Sequence, residues 1–134
     1  MTTKQILEDY KTVAVVGMSK NHSKPANEVP ILLHNNGYNI IPINPTADEI
    51  DGLKSYKSIA DVPEKIEILD VFRPSEDAIE ITKQAIARRK EKGDIKVIWL
   101  QLGILNDEAK KLAEENGIDF IQDKCMKIEF NKYF

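Results

Sequence analysis

The stretch Lys11-Thr12-Val13-Ala14-Val15-Val16-Gly17-Met18-Ser19, running on to Lys24-Pro25, constrains this chain more than any other. Its apolar and β-branched residues, closed by a single glycine, predict a strand buried on both faces. A polar loop from Met18 to Ala26 follows, and then a helix. A strand that stops at glycine, opens into a loop of backbone N–H groups and feeds a helix N-terminus is suited to anions. Phosphates approach a backbone closely only where no Cβ intervenes. The full G-x-G-x-x-G spacing is absent, so an ordinary β–α turn remains the competing reading.

The chain has 134 residues, which predicts one domain (residues 1–134) with a real core. Its net charge of −3 argues against a nucleic-acid partner held mainly through phosphates. No apolar run approaches the ~20 residues of a membrane span. Glu8 and Asp9 make the first residues unlike a signal peptide. The lone cysteine, Cys125, excludes an internal disulfide and any cysteine-rich zinc site, and no metal site is expected. The cytoplasm is the expected compartment.

In order, the pattern predicts a short helix from Thr3 to Asp9, capped by Thr2 or Thr3, and a first strand from about Thr12 to Gly17. A second helix is expected with Asn27 as N-cap, Pro30 in its first turn, an apolar face of Val29, Leu32 and Leu33, and Gly37 at its end. His34 reads as surface. Tyr38 to Ile43 is the second strand. Thr46 to Lys65 is weakly patterned, with a turn near Asp51-Gly52 and a helical turn near Ser58 to Asp61. Ile66 to Phe72 is the third strand, and Ser75 caps a helix that faces the sheet through Ile79, Thr82 and Ile86. Arg88, Arg89, Lys90 and Lys92 read as a solvated face that favours the helix dipole. Ile95 to Leu102 is the fourth strand. Asn106 caps the next helix, which ends at Gly117, and Ile118 to Ile121 is the fifth strand, followed by a polar tail. Five strands alternating with helices predict an α/β, Rossmann-like, doubly wound parallel five-stranded sheet with helices on both faces, strand one central.

In such sheets the ligand lies beyond the carboxyl ends of the strands. Those ends carry Gly17 to Lys24, Asn44-Pro45, Phe72-Arg73, Gln101 to Gly103, and Cys125. They contain no Ser-His-Asp, Cys-His or paired-carboxylate set. His22 is the one candidate general base, with no evident acid to orient it, so binding fits better than chemistry and no catalytic residue is named. A nicotinamide dinucleotide site places Asp or Glu at the end of the second strand, to accept ribose hydroxyls. Asn44 and Pro45 stand there instead. With Lys24 and Arg73 nearby, the edge suits an adenosine ligand carrying an extra phosphate.

The motifs VAVVGMSKNHSKP, GYNIIPINP, GLKSYKSI, DVFRPS, WLQLGI and DKCM occur in that order over nearly the whole chain. In this series the chain resembles the small stand-alone members of the CoA-binding domain family, whose fold is similar to the CoA-binding module of the succinyl-CoA synthetase α subunit. The resemblance implies coenzyme A, or an acyl-CoA, as ligand. It implies that Gly17, Met18 and Ser19 hold the pyrophosphate and that Lys24 lies near the phosphates. Asn44 and Pro45 would lie beside the adenosine, Phe72 and Arg73 over adenine and ribose, and Gln101, Leu102 and Gly103 along the pantetheine arm. Met18 replaces the usual alanine, and Pro30 departs from the commoner helix pattern. The second domain and phosphorylated-histidine segment of the synthetases are not in this sequence, so ligase activity is not implied.

Three functions follow for comparison. The first is a CoA-binding carrier, sensor or regulator. The second is an NAD- or nucleotide-responsive regulator, against which the absent acidic residue counts. The third is an enzyme acting on CoA thioesters through His22 or Cys125. Cys125 is also expected to reach bound CoA and form a mixed disulfide, across two strand spacings of about 10 Å in total.

Overall fold

Each of the five apolar runs forms a strand of one parallel sheet in the computed structural model, which describes residues 1–134. These strands are β1 (Thr12–Val16), β2 (Asn39–Ile43), β5 (Ile68–Val71), β6 (Val97–Leu100) and β7 (Asp119–Ile121). Two short strands, β3 (Glu49–Ile50) and β4 (Leu53–Lys54), make a separate antiparallel hairpin around Asp51-Gly52. The sheet order is β2-β1-β5-β6-β7. The third of the five long strands, β5, is therefore central, not the first. The chain leaves β1 towards β2 on one side and returns to β5 on the other, so its direction reverses between β1 and β5.

Helices cover both faces, as expected. On one face α3 (Ala78–Lys92) and α4 (Asp107–Glu115) pack over Leu69, Val71, Ile98 and Leu100. On the other, α1 (Thr3–Asp9), α2 (Pro25–Asn35) and α5 (Met126–Tyr133) cover Val13, Val15, Ile68, Val97 and Trp99. Thr2 caps α1 through a reciprocal box with Gln5. The expected polar tail is in fact α5. Met126 is buried in it, and Phe130 packs edge-on against Tyr38 at 6.0 Å between ring centroids. No helix is long and apolar enough to cross a membrane.

Several boundaries differ from expectation for identifiable reasons. Helix α2 begins at Pro25 with Lys24 as N-cap, so Asn27 lies inside the first turn and Pro30 inside the helix. Ser75 opens a single 3-10 turn, and α3 starts at Ala78. The buried face of α3 includes Ile81 beside Thr82, Ala85 and Ile86, while Ile79 is half-buried. Ile95 takes a left-handed backbone (φ 59°), so β6 cannot begin before the chain recovers.

The basic run at the end of α3 is not uniformly solvated. Arg88 is buried, and its Nε donates to Asp94 Oδ2 at 3.0 Å. Its Nη1 donates to the carbonyls of Ile59 and Val62, and its Nη2 to that of Glu64. Asp94 Oδ2 also accepts from the Ile66 amide at 2.9 Å. This one guanidinium therefore ties the irregular 59–64 segment to the sheet. Removing it leaves the buried Asp94 charge without its counter-ion and takes the side-chain donor from all three carbonyls. Arg88→Ala is expected to destabilise the fold by about 3–5 kcal/mol, and Arg88→Lys to recover little of that loss because a point charge cannot span the same fork. Chemical denaturation of the three proteins measures both.

Candidate functional site

The reversal between β1 and β5 opens the carboxyl edge of the sheet at Gly17 and Phe72. Gly17 has φ +84°, and a Cβ there would lie 2.7 Å from the Phe72 carbonyl oxygen. The glycine is thus required by the neighbouring strand end, before any ligand is considered. The wall made by Phe72, Arg73, Lys24 and Ala26 separates two adjoining clefts.

The wider cleft, of about 800 Å³, is bordered by Gly17, Met18, Ser19, Asn44 and Pro45 together with the wall residues. Thr46, Lys57, Ser58 and Gln84, none of them given a ligand role from the sequence, complete its polar side. Lys24, Lys57 and Arg73 are its charged residues, and its sixteen lining residues include no carboxylate. Arg73 reaches Asp77 at 3.0 Å, whereas Lys24 and Lys57 pair with no acid. Met18 contributes backbone only, its side chain being buried in the core.

The loop after β1 is held from behind. A helical residue at position 30 would normally donate to the carbonyl of residue 26, but proline has no N–H. That Ala26 carbonyl instead accepts from the Ser19 amide at 3.1 Å. Asn27, buried, donates to the Ser19 carbonyl at 2.8 Å and to Asp51 Oδ2 at 2.7 Å. The Ser19 backbone is therefore engaged, and the Gly17 amide is taken by Ile43. The amides of Met18 and Ala26 have no protein acceptor and belong to residues that line the wider cleft. Asn44 is likewise occupied: its amide donates to the Met18 carbonyl, and its oxygen accepts from both the amide and the hydroxyl of Thr46.

The narrower cleft, of about 450 Å³, is mainly apolar. Pro25, Pro74, Leu102, Ile104 and Cys125 line it with the wall residues and Gln101. Leu102 is exposed and Cys125 half-buried, but Gln101 is almost wholly buried. Gly103 lines neither cleft; its amide donates to Asp123 Oδ1. Cys125 is the N-cap of α5. Since β5 and β6 both lie between β1 and β7, the separation to cross is three strand spacings, about 14 Å, rather than two.

His22 does have a carboxylate partner, which its sequence neighbours did not disclose. Its Nε2 lies 2.7 Å from Asp51 Oδ1. The Asn27 amide, and then His22, hold the Asp51 carboxyl below the usual carboxylate range. The pair lines an open groove outside α2, apart from both clefts, with no nucleophile beside it. No cluster of three or more His, Cys, Asp or Glu side chains is placed to hold a metal ion.

Asp70, in the middle of central β5, is wholly buried. Its Oδ1 accepts from Gln101 Nε2 at 2.5 Å, while its Oδ2 has no partner. Burial pushes its carboxyl up to about 7, against the opposing hydrogen bonds from Gln101 and the Val71 backbone. The sequence signal was available: a lone carboxylate inside the apolar run Ile68-Leu69-Asp70-Val71. Because the folded state holds this proton more tightly than an unfolded carboxyl near 3.8 does, stability is greatest below pH 3.8 for this group and declines as pH rises to about 7. The loss is on the order of 4 kcal/mol, at about 1.4 per unit. Asp70→Asn is expected to flatten that decline and to stabilise the protein above pH 7, as read from denaturation midpoints between pH 5 and 8.

The chain matches the family model described as CoA binding domain over residues 11–131. An uncharacterized Bacillus subtilis protein, YneT, is 35% identical over 125 residues, covering 93% of this chain and 89% of that protein. The ADP-forming acetate–CoA ligase II of Archaeoglobus fulgidus is 33% identical over 106 residues, which cover 78% of this chain but 15% of the ligase. A solved Thermus thermophilus structure superposes with a TM-score of 0.90 at 34% identity, over the full length of both chains. With the family model matched over most of its length, the chain belongs to the CoA-binding domain family.

Proposed function

We propose that this protein binds coenzyme A, or an acyl thioester of it, across the two clefts at the carboxyl edge of the sheet. Its role is that of a carrier, sensor or regulator in the cytoplasm, without strong catalytic machinery of its own. The observation that carries this reading is the division of the edge. A wide cleft with three cations and no carboxylate adjoins a narrow, mainly apolar one, in a chain whose net charge is −3. Coenzyme A has the same division, a polyanionic nucleotide and a neutral pantetheine arm. The family match and the partial likeness to an acetate–CoA ligase support it.

The free amides of Met18 and Ala26, at the start of α2, with the Ser19 hydroxyl and Lys24, would hold the pyrophosphate. Arg73 and Lys57 flank the remaining space, where a 3′-phosphate fits. Pro45 and Phe72 offer apolar surface to the adenosine. The narrow cleft, with Leu102 and the turn at Gly103 at its rim, would take the pantetheine arm. An NAD-type reading is disfavoured by Asn44, whose hydrogen-bonding groups are already used within the protein and are not offered to ribose hydroxyls.

Calorimetry with CoA, dephospho-CoA and NAD tests the reading. Dephospho-CoA is expected to bind more weakly than CoA by ~1.5–3 kcal/mol, the range for a hydrogen bond to a charged group. Equal affinity would remove the 3′-phosphate from the site, and tighter binding of NAD would overturn the ligand.

Cys125 lies on the narrow cleft and is expected to form a mixed disulfide. Its thiolate attacks one sulfur of oxidised CoA, the S–S bond breaks, and one CoA thiolate leaves. Intact mass after incubation with oxidised CoA should show one CoA adduct that reductant removes and that Cys125→Ser lacks. Absence of the adduct in protein shown to bind CoA would refute this.

A further inference from the structure

Two hydrogen bonds join the centre of the sheet to the narrow cleft. Asp70 Oδ1 accepts from Gln101 Nε2, and Gln101 Oε1 accepts from the Met126 amide at 3.2 Å. Gln101 and Cys125 both line that cleft, and Met126 opens α5 directly after Cys125. Trp99 Nε1 reinforces the same turn by donating to the Lys124 carbonyl at 2.8 Å. The relay ends on a carboxyl whose second oxygen has no partner although it is wholly buried. An apolar residue would fill this place in a sheet covered on both faces at lower cost, since a buried polar atom without a partner is penalised.

We propose that Asp70 is a positioning residue of the narrow cleft, coupled through Gln101 to the Cys125–Met126 turn, so that negative charge on that cleft, or across the Lys24–Arg73 wall it shares with the wide cleft, favours the protonated carboxyl. The proposal rests on the CoA reading for its natural ligand but not for its physical basis. Asp70 faces Val15 across β1 and Trp99 across β6, neither of which is charged. The titratable and charged groups on the segments that follow its strand and open the neighbouring helices are Arg73, two residues beyond β5, Lys24, the N-cap of α2, and Lys124, Cys125, Lys127 and Glu129 about the start of α5. Arg73 is paired with Asp77, and Glu129 accepts from the Thr3 hydroxyl. None of these groups bonds to Asp70, so its charge is balanced by no ion pair. Burial lifts its transition to about 7, so a neighbouring charge is felt there at neutral pH. Reciprocity then requires that an occupant which tightens the proton on Asp70 is itself bound more tightly by the protonated form, by the same factor.

Infrared titration of the carboxylic C=O band tests the coupling. In the free protein one such band should disappear near pH 7, and Asp70→Asn should lack it. Saturating CoA, with saturation established by calorimetry on the same sample, should move that midpoint upward by about half a unit, equivalent to about threefold tighter binding by the protonated form. Gln101→Leu leaves Asp70 in place but cuts the relay and should reduce the shift. Should Asp70→Asn fail to fold, Gln101→Leu assigns the band, since losing an amide that favours the ionised form raises its midpoint in the free protein.

A second probe needs no ligand. Carboxymethylation of Cys125 by iodoacetate, in which the thiolate displaces iodide, fixes an anion on the same cleft and should also raise the midpoint. If calorimetry finds no CoA binding, the ligand reading fails and the carboxymethylated protein alone decides the coupling. Either probe seated in the cleft with the midpoint unmoved overturns the proposal, as does a band that persists in folded Asp70→Asn.

Discussion

The approach of Gly17 to the Phe72 carbonyl sets the geometry of the whole functional edge. With a Cβ, residue 17 would stand 2.7 Å from that oxygen, and the ends of β1 and β5 would have to part. Phe72 and Arg73 are held against the first loop only because that gap is closed. They form the wall between the wide and narrow clefts, so both depend on the contact. A glycine associated with phosphate loops acts here first on a neighbouring strand. For the ligand proposed above its value would be indirect, through the wall it brings into place.

Much of the fold was legible from period and composition. Continuous apolar runs such as Val13 to Val15 and Val97 to Leu100 read as strands buried on both faces, and they are. The strand order was not legible. Crossovers of one hand permit either arrangement of the third strand, and nothing in Ile68 to Val71 says on which side of β2 it will settle. Helix α5 was missed because Lys127, Glu129, Asn131 and Lys132 dominate its composition, while its buried face rests on Met126 and Phe130 alone. Arg88 was misread because a sequence neighbour of Arg89 and Lys90 looks solvated until Asp94 and three carbonyls are found beside it.

The candidate site shows the same boundary. The residues that follow each strand were identifiable, and eleven of the twelve line one cleft or the other. Their division of labour was not. Asn44 and Gln101 are committed to holding loops together, and the Ser19 amide is taken. Lys57 and Ser58 arrive from a weakly patterned segment that only the third dimension brings to the edge. Polar residues inside this protein act as fasteners at three places: Arg88 with Asp94, Asp70 with Gln101, and Asn27 with Asp51. Each joins an irregular segment to a regular one, where apolar packing by itself specifies position loosely.

Pro30 shows how a defect in one element becomes order in another. Helix α2 lacks one of its own hydrogen bonds, and the carbonyl so released anchors the loop that precedes it. The loop's shape is thus written into the helix behind it and does not wait for a ligand. An anion bound there as proposed would meet donors already in place and forfeit little chain entropy in ordering them, so that its association would be governed by diffusion and charge rather than by loop closure.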